Sequence, residues 1–541
     1  MNHRGAENTE QEVERQAFFP SPYLLGVLVL LVLIIWSLQV AGIFQGDLIN
    51  EGGWSLVVSF LIAVLSPEIS SDFLLLTLDA TLKTLAYAIC GTFFSIVIGF
   101  VVGVLSSQVW WKSLGKAYKI PWLMIRAILA IPRAIHELIW GLFFINIFGL
   151  DPLVAVLAIA IPFGAITAKV FSEILDETPR EPLLALLNSG VPPVSAFIYT
   201  LIPQALPNLI SYSFYRLECS IRSAAVLGII GAGGLGYQIF LSLQSLQYEQ
   251  VWTLMFALLF LSGCTDFVSR LLRQRSELPN RSPTLSLLCA FFLLIFSFWY
   301  IKADFGKFWE PRTAERLTRV IQDAFPPQLI DLHQLFTLSA QTLAMSILAM
   351  AGAGLGGILL SFGAAREIVA KKRRFSIENL QSQIRIGITR LLLLIARAVP
   401  EPIWALIFLF VFFPGILPGA IALAVHNFGI LGRLMAEVVE NLDRRPLLSL
   451  KALGGSNSQV FIYGVLPATF PQFIAYILYR WEVCIRATVI VGLVGAGGLG
   501  RLLTEQLSSF DYKGLLTTLT VLIILTLMID IISTTLRGTL R

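Results

Sequence analysis

Tyr215–Gly236 reads YRLECSIRSAAVLGIIGAGGLG, and Tyr479–Gly500 reads YRWEVCIRATVIVGLVGAGGLG. Twelve of these 22 positions are identical, where unrelated stretches would share roughly one or two, so the chain contains an internal repeat. The offset is 264 residues, close to half the chain. It also pairs Arg126 with Arg390, Arg133 with Arg397, Glu137 with Glu401, Trp140 with Trp404, Gly190 with Gly454 and Pro203 with Pro467, and no gap is needed from Arg126 to Gly236. The repeat keeps charged residues inside apolar segments, which is costly in a bilayer unless the charges serve a purpose.

Composition decides where such a chain resides. Of its 541 residues 56% are hydrophobic and 13% charged, with a mean hydropathy of +0.78. A soluble domain needs about 25% charged residues to face water, so a soluble fold is excluded. The net charge of +5 is small and spread along the chain, which does not imply a nucleic-acid partner. Five cysteines (Cys90, Cys219, Cys264, Cys289, Cys484) sit in apolar contexts without CxxC or metal spacing, so burial is expected rather than redox or metal chemistry. The apolar run from Leu24 exceeds a signal-peptide core and reads as a retained first span.

Twelve apolar segments are expected to cross the membrane as helices. The first half holds 24–40, 82–104, 120–148, 152–171, 209–230 and 251–268; the second holds 285–300, 338–360, 386–413, 417–438, 473–494 and 515–532. Segment 120–148 is too long for one simple span and is expected to begin as an interfacial helix. The polar, Pro-bounded stretch with Arg270, Arg273, Arg275 and Arg281 reads as the linker, giving repeats over 1–276 and 277–541. Lys112, Lys116 and Lys119 follow the second span, and Arg366, Lys371, Lys372, Arg373 and Arg374 follow the eighth. No Lys or Arg lies between Ala41 and Asp72, where Asp47, Glu51 and Glu68 stand. This asymmetry places both termini in the cytoplasm. With six spans each, the two repeats then share one orientation about a pseudo-twofold axis along the membrane normal.

The fifth and eleventh spans carry Arg216, Glu218, Arg222 and Arg480, Glu482, Arg486. Glu218–Arg222 and Glu482–Arg486 are one helical turn apart in the favourable order, whereas Arg216 points about 160° away from Glu218, along a stripe of Cys219, Ser220 and Ser223. Two roles are compatible with this pattern: charges that pin helices together, and a surplus positive charge bordering an anion route. In the third and ninth spans Arg133–Glu137 and Arg397–Glu401 are also spaced for pairing, just before Trp140 and Trp404. His136 is matched by Pro400, which excludes a role required in both halves and favours a locally satisfied histidine.

Gly231, Gly233, Gly234 and Gly236, with Gly495, Gly497, Gly498 and Gly500, spell G-x-G-x-x-G twice. They follow an apolar helix rather than a strand, so a dinucleotide site is excluded by context, and a sharp chain reversal at the outer end of the span is expected instead. A short helix should lead from it to the next span. No G-x-x-x-x-G-K-[ST] occurs, so the chain lacks a P-loop. Segments 180–203 and 444–467 are polar enough to leave the membrane as connecting loops on the cytoplasmic side.

A loop glycine followed by I-x-P or L-P, then YRxExxIR, then GxxGAGGLG resembles the permease of phosphonate-type ABC importers, here as two copies fused in tandem; RAIHELIWGLFF and RAVPEPIWALIF are similar to its third-span signature. The resemblance covers nearly all of both halves. It implies an all-α integral membrane protein of the type I, methionine-importer-like permease fold, in a bacterial inner membrane. It also implies two separate ABC ATPase subunits, an extracytoplasmic binding protein and no cofactor or metal of its own. Coupling loops to the ATPases would span about 173–206 and 437–470, with Leu184, Ala185, Gly190 and Leu448, Ser449, Gly454 as their contact residues. One departure stands out: where the family has an EAA-like triplet, this chain has Leu184-Ala185-Leu186 and Leu448-Ser449-Leu450, with Leu in place of the expected Glu.

The reading is therefore a permease subunit importing phosphonate or a related phosphorus oxyanion. The alternatives are an ABC permease for another small solute and a gradient-driven secondary carrier, which would not need the coupling loops.

Overall fold

Each of the twelve apolar segments is helical in the computed structural model, which describes residues 22–44, 49–114, 119–276, 284–328, 331–365 and 377–539. Among them no strand forms beyond one isolated bridge between Ile49 and Phe412. Helix is what the solvent dictates, since hydrocarbon leaves backbone N–H and C=O groups nothing else to bond. Expectations resting on Asp47, Lys116, Arg281, Arg366 and 371–374, and on the side chains of Arg270, Arg273, Arg275 and Cys289, fall outside the described residues.

Among the described residues eight helices are long and apolar enough to cross a membrane, and two bent pairs bring the number to ten. The first and seventh expected spans are the helices Pro22–Val40 and Thr284–Ile301, of 19 and 18 residues. Several helices run well beyond the expected spans. The second is Ser71–Ser106, 36 residues, or about 54 Å at 1.5 Å per residue, against about 30 Å of hydrocarbon. The fifth begins at Pro193, and Pro203 and Pro207 lie inside it. The expected loop 180–203 is thus mostly helix: its connector shrinks to the helix Glu181–Asn188 and a short turn. Membrane helices tolerate such prolines because neighbouring groups satisfy the freed carbonyls. The same correction applies in the second repeat, where the connector is the helix Arg444–Ala452 and the helical stretch restarts at Asn457.

Inside each repeat the second and fourth spans, and the eighth and tenth, pack along their length. Small residues allow close approach there: Gly91 faces Ile159, Gly99 faces Thr167 and Gly357 faces Leu431. The repeats also exchange their first spans. Pro22–Val40 packs on the eighth span of the second repeat, and Thr284–Ile301 packs on the second span of the first.

The third span breaks. Lys119–Ala134 and Glu137–Phe148 meet at 84°, and 383–398 and Glu401–Val411 meet at 94°. The inner arms bridge the repeats, Lys119–Ala134 against Tyr512–Thr539 and Ile377–Ala398 against Tyr248–Ser276. The outer arms insert into the opposite core: Leu138 is buried among second-repeat residues such as Met345 and Ala420, while Val399, Ile403 and Ile407 are buried in the first-repeat core. The expectation of buried cysteines holds for Cys90 and Cys484, but Cys264 is exposed; it lies on a helix face beside Gly263, which has open space around it.

Candidate functional site: a charged seam between the repeats

The breaks in the third and ninth spans undo two expected ion pairs. Arg133 and Glu137, like Arg397 and Arg397's expected partner Glu401, lie on opposite sides of a bend, so the helical i, i+4 geometry is lost. Glu137 instead accepts a hydrogen bond from Ser223 Oγ at 2.6 Å and lies 3.1 Å from His136 Nδ1. Glu401 lies 3.2 Å from His426 Nε2, whose Nδ1 is 3.0 Å from the Val399 carbonyl. His136 also caps its helix by accepting from the Leu138 N–H, so it is locally satisfied as expected. Each repeat thus sets a histidine against its glutamate from a different place: beside the bend in the first, and on the tenth span in the second.

Of the two arginines freed in this way, Arg397 meets acids of the other repeat. Arg397 donates to Glu218 at 3.2 Å and to Asp266, and Arg433 donates to Asp266 at 3.2 Å. Asp266 and Arg397 expose only 6% and 11% of their side chains. Arg222 stands 4.0 Å from Glu218, so the expected intrahelical pair survives only at its outer limit.

Shifted by 264 residues, the same types recur as Glu482, Asp530, Arg133, Lys169 and Arg486, but they are joined differently. Glu482 is bonded by Arg537, Arg486 reaches the Arg133 carbonyl at 3.5 Å, and Asp530 Oδ1 is buried without a partner. The expected Glu482–Arg486 pair is therefore replaced, because Arg537 on the adjoining twelfth span reaches the carboxylate first.

Asp266, Asp530, Arg433, Lys169, His426 and Arg537 are members that sequence reasoning missed. The first four carried a signal, since the 264-residue offset pairs acid with acid and base with base.

Arg216 and Arg480 depart from their helices away from this seam. Arg480 donates from Nε and Nη2 to Asn427 Oδ1 at 2.9 and 2.5 Å. Arg216, buried at 6% exposure, lays its guanidinium 3.9 Å over the Phe163 ring. Of the small stripe beside it, Ser220 accepts from Thr92 Oγ1 at 2.7 Å, tying the fifth span to the second.

Both glycine motifs reverse the chain. Gly231 and Gly495 have φ of +96° and +107°, a region that only glycine enters at no steric cost. A Cβ on Gly236 would stand 1.7 Å from the Ala225 carbonyl oxygen, and one on Gly500 2.5 Å from that of Val489. Gly233, Gly234, Gly497 and Gly498 complete the turns, and the helices Gly234–Gln244 and Gly498–Ser508 lead on to the sixth and twelfth spans.

At the other end of the fifth and eleventh spans sit the two connector helices. Leu183 and Leu447 anchor them inward, while Leu184 and Leu448 are 52% and 54% exposed. Ala185 and Ser449 follow on the same helices, and each helix closes at a left-handed glycine, Gly190 at φ +83° and Gly454 at +87°. Beside them Arg126 faces Asp176 at 3.8 Å, and Arg390 bonds Glu440 at 2.5 Å, the same pairing at matching positions. No group of His, Cys, Asp and Glu among the described residues could hold a metal ion.

Known proteins match this chain. The phosphate-import permease protein PhnE of Mycolicibacterium smegmatis is 29% identical over 72% of either chain. The phosphite transport system permease protein PtxC of Stutzerimonas stutzeri is 34% identical over 40% of this chain and 74% of its own. The putative cryptic phosphonate transport system permease protein PhnE2 of Escherichia coli is 35% identical over 22% of this chain and 96% of its own. Among solved structures, a chain of the MetNI methionine ABC transporter in an inward-facing conformation is 24% identical, with 99% of it aligned to 38% of this chain at a TM-score of 0.35. Residues 113–278 and 379–540 each match one family description, and these are the stretches that hold the broken spans, the connector helices and the glycine turns. With two copies of the domain in one polypeptide, the chain belongs to the family of binding-protein-dependent transport system inner membrane components.

Proposed function

We propose that this multi-pass permease imports phosphonate or a related phosphorus oxyanion, driven by ATP that separate ABC ATPase subunits hydrolyse. One observation carries the energy-coupling part. Two short helices at matching positions, Glu181–Asn188 and Arg444–Ala452, connect the fourth span to the fifth and the tenth to the eleventh, each with an inward leucine, an outward leucine and a terminal left-handed glycine. A pair of like surfaces on a pseudo-twofold molecule fits two like partners, one ATPase per repeat. The exposed Leu184 and Leu448 make that contact apolar where the family places an acid, so it depends weakly on salt.

Substrate class rests on the relatives, whose names are phosphate, phosphite and phosphonate permeases. Arginines on the seam suit an anionic cargo, and an extracytoplasmic binding protein would deliver it. In this reading the connector helices and both termini lie on the cytoplasmic side of a bacterial inner membrane.

Vesicles containing the purified chain, its ATPase and its binding protein test this reading. Uptake of radiolabelled phosphate or methylphosphonate should require ATP and all three components. Accumulation driven by a proton or sodium gradient, with neither ATP nor ATPase present, would instead establish a secondary carrier.

A further inference from the structure

The geometry points to Arg216, flanked by Tyr215 and Tyr479, as a transit site where a phosphorus oxyanion is held during import; this deepens the functional reading above and rests on it. Arg216 is the one arginine of the two matched positions whose hydrogen-bonding edge is empty. Its Nε–H and Nη2–H are buried and have no partner, and it forms no ion pair among the described residues. Those two groups are the side-on edge that grips carboxylates and phosphates through two parallel bonds. Leaving a buried cation unsatisfied is costly, so its presence calls for a partner that arrives from outside.

The second repeat supplies an internal control. Arg480, at the matching position, directs the same two nitrogens to Asn427 Oδ1, and the residue 264 positions before Asn427 is Phe163. The fold can therefore place an acceptor against this arginine and does so once. In the first repeat an aromatic ring stands there instead, holding the guanidinium 3.9 Å from its face while leaving its edge free.

Location favours transit. Tyr479 of the second repeat is within electrostatic reach of both Arg216 and Tyr215. Tyr215 and Tyr479 occupy matching positions on the fifth and eleventh spans, interact electrostatically between the repeats, and are 41% and 49% exposed. Side chains contributed by both repeats that interact and still remain accessible can be reached by a cargo passing between the repeats. Their hydroxyls add donors to the guanidinium edge, and repeat interfaces are where transporters hold cargo. The edge is covered in this conformation, so occupancy belongs to a state in which the fourth and fifth spans separate around it.

The test uses the complete transporter in vesicles, with inorganic phosphate and methylphosphonate as probes and uptake normalised to the amount of permease. Phe163→Asn gives Arg216 the acceptor that Asn427 gives Arg480, and Phe163→Leu removes the ring without supplying one. Losing a charge-assisted bond to the cargo should lower uptake by at least about tenfold in Phe163→Asn and less than about threefold in Phe163→Leu. Equal loss in both, or unchanged uptake in Phe163→Asn, overturns the site. Should Phe163→Asn not reach the membrane, Arg216→Lys and Arg216→Gln decide: retained uptake in the lysine variant alone supports the site, and equal uptake in both overturns it. If the unaltered transporter imports neither probe, the functional reading fails and the site falls with it; import by the unaltered transporter with insensitive variants removes the site alone.

Discussion

Arg397 of the second repeat is bonded to Asp266 of the first, whereas Arg133 and Asp530, the same two positions exchanged between repeats, form no ion pair, and Asp530 keeps a buried oxygen without a partner. One side of the seam is closed and the other is open. A difference in coupling energy should follow. In a double-mutant cycle read by thermal unfolding in detergent, Arg397→Gln with Asp266→Asn should couple by more than about 1 kcal/mol, and Arg133→Gln with Asp530→Asn by less than about 0.5 kcal/mol. Breaking the closed pair singly should be severe, about 3–5 kcal/mol, because it strands a buried charge. Equal coupling on the two sides would show that the asymmetry is not maintained in solution.

The glycine turns make a prediction about folding. Gly236→Ala forces a Cβ into the Ala225 carbonyl oxygen, whereas Gly263→Ala meets nothing within 4 Å. The first should lower stability by at least about 2 kcal/mol and reduce the amount in the membrane; the second should be neutral or slightly stabilising. Comparable membrane levels for both would contradict the close approach.

Energy coupling is tested at Gly454. Its φ of +87° strains any other residue, and the space around it is open, so a large side chain is accommodated in the membrane but disturbs the end of the connector helix. Gly454→Arg should insert normally and lose uptake, with Gly190→Arg behaving alike. Wild-type uptake in either would place the ATPase contact elsewhere.

Orientation is read by labelling single cysteines in a cysteine-free background. Leu453, 86% exposed beside the connector helix, and Trp309, 89% exposed before the eighth span, lie at opposite ends of the bundle. A membrane-impermeant thiol reagent added to intact cells should label position 309 and spare 453. The reverse pattern would invert the topology.

Periodicity and run length made the helices legible, and the repeat made the architecture legible, because both depend on residue types at fixed spacing. Partners across the seam were not legible. Spacing placed Arg397 within a turn of Glu401, and only the 94° bend at Val399–Pro400 separates them and sends Arg397 to Asp266. That bend was invisible because a proline and an apolar run suit a continuous span as well as a broken one. Arg537 escaped notice for a different reason: it lies beyond the expected span 515–532, but the helix continues through it and brings it to Glu482. The long fifth span escaped because Pro203 and Pro207 look like helix ends in a sequence that could be aqueous.

Exchange of the first spans has a consequence for how this transporter changes over time. A permease of two identical chains must accept every substitution twice, once on each side of its axis. Here the sides are encoded separately, yet each clasps the other through a borrowed helix, Pro22–Val40 in one direction and Thr284–Ile301 in the other. Neither half can drift away from its neighbour, but each can alter its own lining alone. Phe163 where the second repeat has Asn427, and His136 where it has Pro400, are the record of that freedom: one architecture kept in both halves, with unlike side chains at matched positions.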